Sequence, residues 1–165
     1  MTAEILDKSG DDHTPPLQKN AMKKLIPILL LIALNLPARD LAAAADPAAE
    51  IRAVMMAQVA AWNRGDIDGF MNGYARSADT EFVSGDKITH GWQTVRDNYR
   101  KKYDSRDKMG TLKFSEIKVT PLASDAALVL GRWQLVRQKD KPHGTFTLLF
   151  RRTPAGWRIV HDHTS

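Results

Sequence analysis

His161 and His163, two positions apart near the end of the chain, are the first side chains whose type and spacing suggest chemistry. Imidazoles titrate near neutral pH, so either one could move protons, and neutral imidazole is a common metal ligand. The segment Trp157 to Ser165 reads as one β-strand, in which successive side chains point to opposite faces. Trp157, Ile159, His161 and His163 are therefore expected on one face, and Arg158, Val160 and Asp162 on the other. Two imidazoles beyond two large apolar groups suggest an inward face that turns polar where a cavity opens. The same alternation sends Asp162 away and removes a His–Asp dyad from the site. A catalytic zinc normally takes three protein ligands. The remaining candidates, His90 at the end of a hairpin and His143 in a turn, have no fixed relation to the pair, so neither metal nor cofactor is expected. Three roles stay open for the pair: hydrogen-bonded wall of a cavity, ligand contact, or proton transfer.

Other catalytic signatures are missing. Ser105-Arg106-Asp107-Lys108 fits S-x-x-K, but without an S-D-N or K-T-G companion it reads as chance. The chain has no G-x-S-x-G, H-E-x-x-H, phosphate-binding glycine loop or dinucleotide fingerprint. It also has no cysteine, which excludes thiol catalysis, thiolate metal sites and lipid attachment to cysteine.

The elements that must position these residues follow a leader. The 165 residues allow one domain plus an appendage. Met22-Lys23-Lys24, the apolar run Leu25 to Leu36 and the small residues Leu41 to Ala45 have the three-part layout of a secretory signal peptide. The apolar run falls short of the ~20 residues that a membrane span needs. Cleavage is expected near Ala44–Asp46, giving a periplasmic or secreted protein with no membrane segment. Residues 1–21 are a polar leader, and Met22 is the better translation start. Residues 46–165 then form a single domain, large enough for one core without disulfides. That domain carries the whole net charge of +5, because the acidic and basic residues of the first 45 cancel. Its basic residues are scattered, not striped among aromatics, which argues against a nucleic-acid partner.

Asp46-Pro47 opens a helix in which Ile51, Val54, Met55, Val59 and Trp62 make one apolar stripe, ended by Gly65. Asp66 caps a short second helix to about Tyr74. Thr80 to Ser84 and Ile88 to His90 read as a hairpin, and Gly91 to Tyr103 as a third helix with Trp92, Val95, Tyr99 and Tyr103 on one side. Asp104 to Gly110 reads as a polar loop. Three long strands (Thr111 to Thr120, Ala126 to Gln138 and Gly144 to Arg152) precede the terminal one. Their short connections imply antiparallel neighbours. The fold class is therefore α+β, with about three N-terminal helices on a curved antiparallel sheet.

Ala61-Trp62-Asn63-Arg64-Gly65-Asp66, Gly91-Trp92, Ala127 to Trp133, Gly144 to Arg152 and Gly156 to Ser165 resemble the nuclear transport factor 2-like superfamily, in particular its exported SnoaL-like branch. Val160 to Ser165 is also similar to the end of the association domain of calcium/calmodulin-dependent kinase II. The resemblance implies a cystatin-like cone closed by the helices, with a ligand site inside. It implies Val129, Gly131, Trp133 and Leu135 on the cavity face of one strand, and Thr145, Thr147 and Leu149 on that of the next. Trp62, Tyr74, Trp92 and Tyr99 would form the helical walls, and Trp133, Thr147, His161 and His163 the sheet wall. The superfamily includes delta-5-3-ketosteroid isomerase and polyketide cyclases, which use an acid/base Asp in the cone. No Asp of this chain is matched to that position; a carboxylate for the cavity would have to come from elsewhere, such as Asp79, Glu81 or Asp86 near the hairpin.

The resulting expectation is an exported domain that binds a small aromatic or anionic organic molecule, with no specified reaction. Two alternatives stay open. One is a small acid/base enzyme of isomerase, cyclase or dehydratase type, with His161 or His163 as base and Tyr99 or Tyr74 as donor. The other is a homodimeric association module. A homodimer is expected in any case, through the convex face: Leu128, Leu130, Phe146, Leu148 and Phe150 are assigned there, where a solvated face should be polar.

Overall fold

The computed structural model describes residues 46–165; the leader and the expected signal peptide lie outside the described residues. Helix α1 (Pro47–Asn63) starts where Asp46 accepts a hydrogen bond from the Ala48 amide at 3.0 Å, with proline in the first turn. Its buried stripe is Ile51, Met55, Gln58, Ala61 and Trp62. Gly65 turns the chain at φ 84°, a left-handed conformation natural to glycine. Asp66 then caps α2 (Ile67–Met71) through the Gly69 amide at 2.7 Å. The hairpin β1 (Glu81–Ser84) and β2 (Lys87–His90) leads into α3 (Trp92–Lys102). The expected loop after α3 contains one further helical turn, α4 (Arg106–Met109). Ser105 caps that turn by accepting from the Lys108 amide at 3.4 Å, which accounts for the S-x-x-K spacing without catalysis.

Four long strands follow: β3 (Thr111–Ala123), β4 (Ala126–Val136), β5 (His143–Thr153) and β6 (Gly156–Thr164). The sheet order is β2-β1-β6-β5-β4-β3, antiparallel except that β1 runs parallel to β6. Pro121 lies within β3 and not in a turn. As the edge strand, β3 tolerates a residue without an N–H. The helices cover one face of this curved, unclosed sheet, and the core lies between them.

Register decides which side chains face the core, and here two expectations are overturned. On β4 the inward residues are Ala127, Val129, Gly131 and Leu135, all buried, with Trp133 half-buried. Gly131 pairs with Phe146 and Val129 with Leu148. Directly opposed residues share a face, so Phe146, Leu148 and Phe150 point inward and are buried, while Thr145, Thr147 and Leu149 point outward. The expected assignment for β5 is inverted. Burying three large apolar side chains outweighs burying two threonines and a leucine. Gly131 permits this register, since a Cβ there would overlap the Phe146 ring.

The second correction is on β6. Leu149 pairs with His161, but Phe150 pairs with Ile159, so one extra residue enters β6 at this point. Such a bulge breaks the alternation of a strand. Trp157 and Ile159 stay inward at 1 % exposure each, but beyond the bulge Asp162 points inward at 3 %. His161 and His163 turn to the outer face, beside Leu149 and Thr147.

Candidate functional site

The space between the helices and the inner sheet face is walled by aromatic rings. Trp62 of α1 meets Tyr103 edge-on at 4.7 Å and Phe70 at 5.1 Å. Tyr99 stacks on Tyr103 at 5.8 Å and meets Phe82 of β1 at 5.6 Å. Phe114 of β3 packs against Phe146 at 5.2 Å, with Trp133 beside them on β4. The two indole N–H groups are already engaged: Trp62 donates to the Met109 carbonyl at 3.1 Å and Trp133 to that of Ser165 at 3.0 Å. Their rings therefore offer the cavity mainly apolar surface.

Two adjoining lobes occupy this space. One, of about 110 Å³, lies between Trp62, Phe114, Trp133, Leu135, Phe146 and Thr164. The other, of about 220 Å³, opens between the β1–β2 hairpin and α3. They share Phe82, Ser84, Tyr99, Lys102 and Tyr103, so the lobes meet along α3.

Beneath Thr164 and Tyr99 lies a buried polar group. The Asp162 carboxylate accepts from the Tyr74 hydroxyl at 2.6 Å and from the Thr164 hydroxyl at 2.5 Å. Burial raises its pKa from 3.8 to about 6, against the opposing pull of these two hydrogen bonds and of His161 and His163. Burial, and next the Asp162 charge, raise Tyr74 and Tyr99 well above the ordinary phenol value, so both keep their protons. The Asp162 charge thus acts on Tyr99, which lines both lobes.

Of the residues expected in the cone, Trp62, Tyr99 and Trp133 line the cavity, and Tyr74 lies behind it as the partner of Asp162. Trp92 does not reach it. Its indole donates to the Met71 carbonyl at 2.9 Å, and the guanidinium groups of Arg76 and Arg96 lie over its ring at 4.8 Å and 5.1 Å. The outer face holds Thr147, His161 and His163, for the register reasons above. His161 Nδ1 lies 2.8 Å from Glu81 Oε2, and His90 Nδ1 is 3.5 Å from Glu81 Oε1. This pairing uses Glu81 outside the cone, and Asp79 and Asp86 are exposed. His143 is exposed and its Nδ1 is 3.0 Å from the Lys141 carbonyl. Among the described residues no group of three histidine, aspartate or glutamate side chains is placed to hold a metal ion.

The residue that strand alternation discarded, Asp162, is thus the carboxylate behind the cavity. The adjacent apolar pair Ile159-Val160 was its available signal, because two neighbouring apolar residues in a half-buried strand mark a break in alternation. Tyr103 was legible as the next turn of the Tyr99 stripe, whereas Phe82 and Phe114 depended on sheet register.

A helical cover over one face of an unclosed curved sheet, with an aromatic cavity between, defines the nuclear transport factor 2-like, or cystatin-like, class. Within it, the SnoaL-like domain model matches residues 51–165, and the chain belongs to that family. A nuclear transport factor 2-like protein of unknown function from Shewanella oneidensis is 39 % identical. The match spans 73 % of this chain and 99 % of that one, with a TM-score of 0.70. A nuclear transport factor 2-like superfamily protein from Salmonella enterica serovar Typhimurium is 22 % identical over 72 % of this chain and 89 % of its own, at TM-score 0.58. A putative calcium/calmodulin-dependent protein kinase II association domain from Xanthomonas campestris shares the fold at 15 % identity, covering 70 % of this chain and 84 % of that one, at TM-score 0.55. No curated protein matches the sequence.

Proposed function

We propose that this chain is an exported domain that binds a small, flat, largely apolar molecule inside its cone. The observation that carries this reading is the pair of joined lobes of about 110 and 220 Å³, walled by Trp62, Phe82, Tyr99, Tyr103, Phe114 and Trp133. Ligand sites are typically concave and lined by apolar and aromatic side chains with a few polar groups. Each lobe is below the roughly 300–1,000 Å³ usual for drug-sized ligands, which favours a molecule of one or two rings. Thermal unfolding of the protein with a panel of one- and two-ring aromatic compounds tests the reading. A compound at about 100 times its Kd adds about 2.7 kcal/mol of stability, and Trp133→Ala should abolish that shift. A panel without a single stabiliser would overturn the proposal. Export is tested by recovering the protein from the periplasm or medium and sequencing its N-terminus, which should start near Asp46.

A second reading, acid/base catalysis on the bound molecule, is favoured by the Asp162–Tyr74 pair and its link to Tyr99. In that reading the base is Asp162 and neither histidine. Asp162 lines neither lobe, so a proton would reach it through the Thr164 hydroxyl, which lines the smaller lobe and donates to it. Tyr99, which keeps its proton, would donate a hydrogen bond to oxygen of the bound molecule. A substrate found by the panel should then react with a rate that rises with pH through about 6 and is lost in Asp162→Asn.

We also propose that a second copy covers the outer sheet face, where Leu128 and Leu130 are 38 % and 50 % exposed. Burial of Phe146, Leu148 and Phe150 leaves this face less apolar than expected, but two exposed leucines on adjacent positions of one strand face still favour coverage. Sedimentation of the wild type should give a dimer, and Leu130→Lys a monomer.

A further inference from the structure

We propose that the ligand of the cone is an aromatic carboxylate, with its ring among the aromatic walls and its charge at the mouth beside Lys102 and Lys87. This rests on the small-molecule reading above and adds the charge and orientation of the ligand.

The argument begins with the charged residues lining the two lobes. Lys102 lines both lobes and Lys87 lines the larger one, while among the described residues no aspartate or glutamate lines either. Among the described residues neither lysine is ion-paired, unlike their neighbours: Arg100 pairs with Asp68, and Lys108 with Asp104. The ammonium of Lys102 lies 5.4 Å from the Tyr103 ring centre, a cation–π contact that holds it over the shared aromatic wall. Ser84, Thr89 and Asn98 line the same lobe and add neutral hydrogen-bonding groups.

The part of the smaller lobe next to Thr164 is unsuited to an anion. Thr164 donates to the buried Asp162 carboxylate, and a second negative charge brought near it is repelled in a poorly screened environment. A carboxylate is therefore directed outward to the lysines, and the hydrophobic part of the ligand inward to Trp62, Phe114 and Trp133. Both lysines are exposed, so their attraction is moderate and sensitive to salt.

Isothermal titration of the full protein with benzoate, 2-naphthoate and their neutral amides tests this. At least one acid should bind about tenfold more tightly than its amide at low salt, a difference that shrinks at high salt. Lys102→Met should weaken the acid about fivefold and leave the amide unchanged. Lys102→Arg, which keeps the charge, should restore the preference. Equal binding of acid and amide, or equal weakening of both by Lys102→Met, would overturn the anion and leave the binding cavity standing. Absence of binding by every acid and amide would overturn both.

Discussion

Replacing Asp162 by asparagine should change how stability depends on pH, and in an unusual direction. Asp162 is 3 % exposed and is hydrogen-bonded by Tyr74 and Thr164. Its pKa in the folded protein is about 6, against 3.8 for an ordinary aspartate, because burial disfavours the charged form more than its partners favour it. In the unfolded chain the carboxyl returns to its ordinary value. Between about pH 4 and pH 6 the folded state therefore holds a proton that the unfolded state has released. Stability contributed by this residue falls as pH rises through that window. This is the reverse of a carboxylate held by a salt bridge, whose stabilisation grows with pH. Below both values the effect vanishes, and above both it reaches its full size. The difference between 3.8 and about 6 corresponds to about 3 kcal/mol of lost stability at neutral pH.

The side chain introduced by Asp162→Asn is neutral throughout and close in shape to the carboxyl, so the variant should lack this fall. One of the two hydroxyl partners can still donate to the amide oxygen, and the other can turn to accept from the amide nitrogen. Urea unfolding of wild type and Asp162→Asn, at intervals from about pH 4 to about pH 7.5, separates out the effect, since titrating groups not coupled to Asp162 cancel in the difference. The variant should gain on the wild type as pH rises, by up to about 3 kcal/mol. Parallel profiles would refute the reasoning, and would mean that water reaches Asp162 freely or that the unfolded state shares its environment.

The other expectations concern the residues around it. Tyr74→Phe removes one donor from the Asp162 carboxylate, so it should cost about 1–3 kcal/mol and move the Asp162 pKa further up, measurable by carboxyl-carbon NMR titration. Gly131→Val should lower stability by about 1–3 kcal/mol in thermal unfolding, because the added atoms enter the space of the Phe146 ring. His161→Ala and His163→Ala should leave the affinity for any ligand of the cone unchanged in calorimetric titration, since both side chains are on the outer face. Weakened binding in either variant would show that the outer face shapes the cavity.

Much of the fold was legible because its signals are local. The α1 stripe repeats at three- and four-residue spacing, Asp46 and Asp66 are helix caps, and β4 alternates cleanly between large exposed leucines and its buried partners. On β5 the alternation itself separates an apolar face of Phe146, Leu148 and Phe150 from one of Thr145, Thr147 and Leu149, and the inverted assignment came from the family resemblance. Pairing with β4, where Gly131 leaves room for Phe146, fixes the same orientation. The greater apolar area of the Phe146 face was therefore the signal to follow.

The terminal strand shows why the location of the site was easier to read than its chemistry. The strand, its apolar anchors Trp157 and Ile159, and its approach to a cavity all follow from residues whose burial is independent of the bulge. The identity of the polar group inside does not, because one inserted residue exchanges Asp162 for His161 and His163. The exchange is also consistent with charge. The position taken by Asp162 is enclosed by the phenols of Tyr74 and Tyr99 and the hydroxyl of Thr164, and two of these donate to the carboxylate. On the outer face His161 instead meets Glu81, brought alongside by the parallel pairing of β1 with β6. Thus the bulge leaves Asp162 and His161 each on the face that supplies a hydrogen-bond partner for it. It also makes the buried group of the cone an acid with a pKa of about 6.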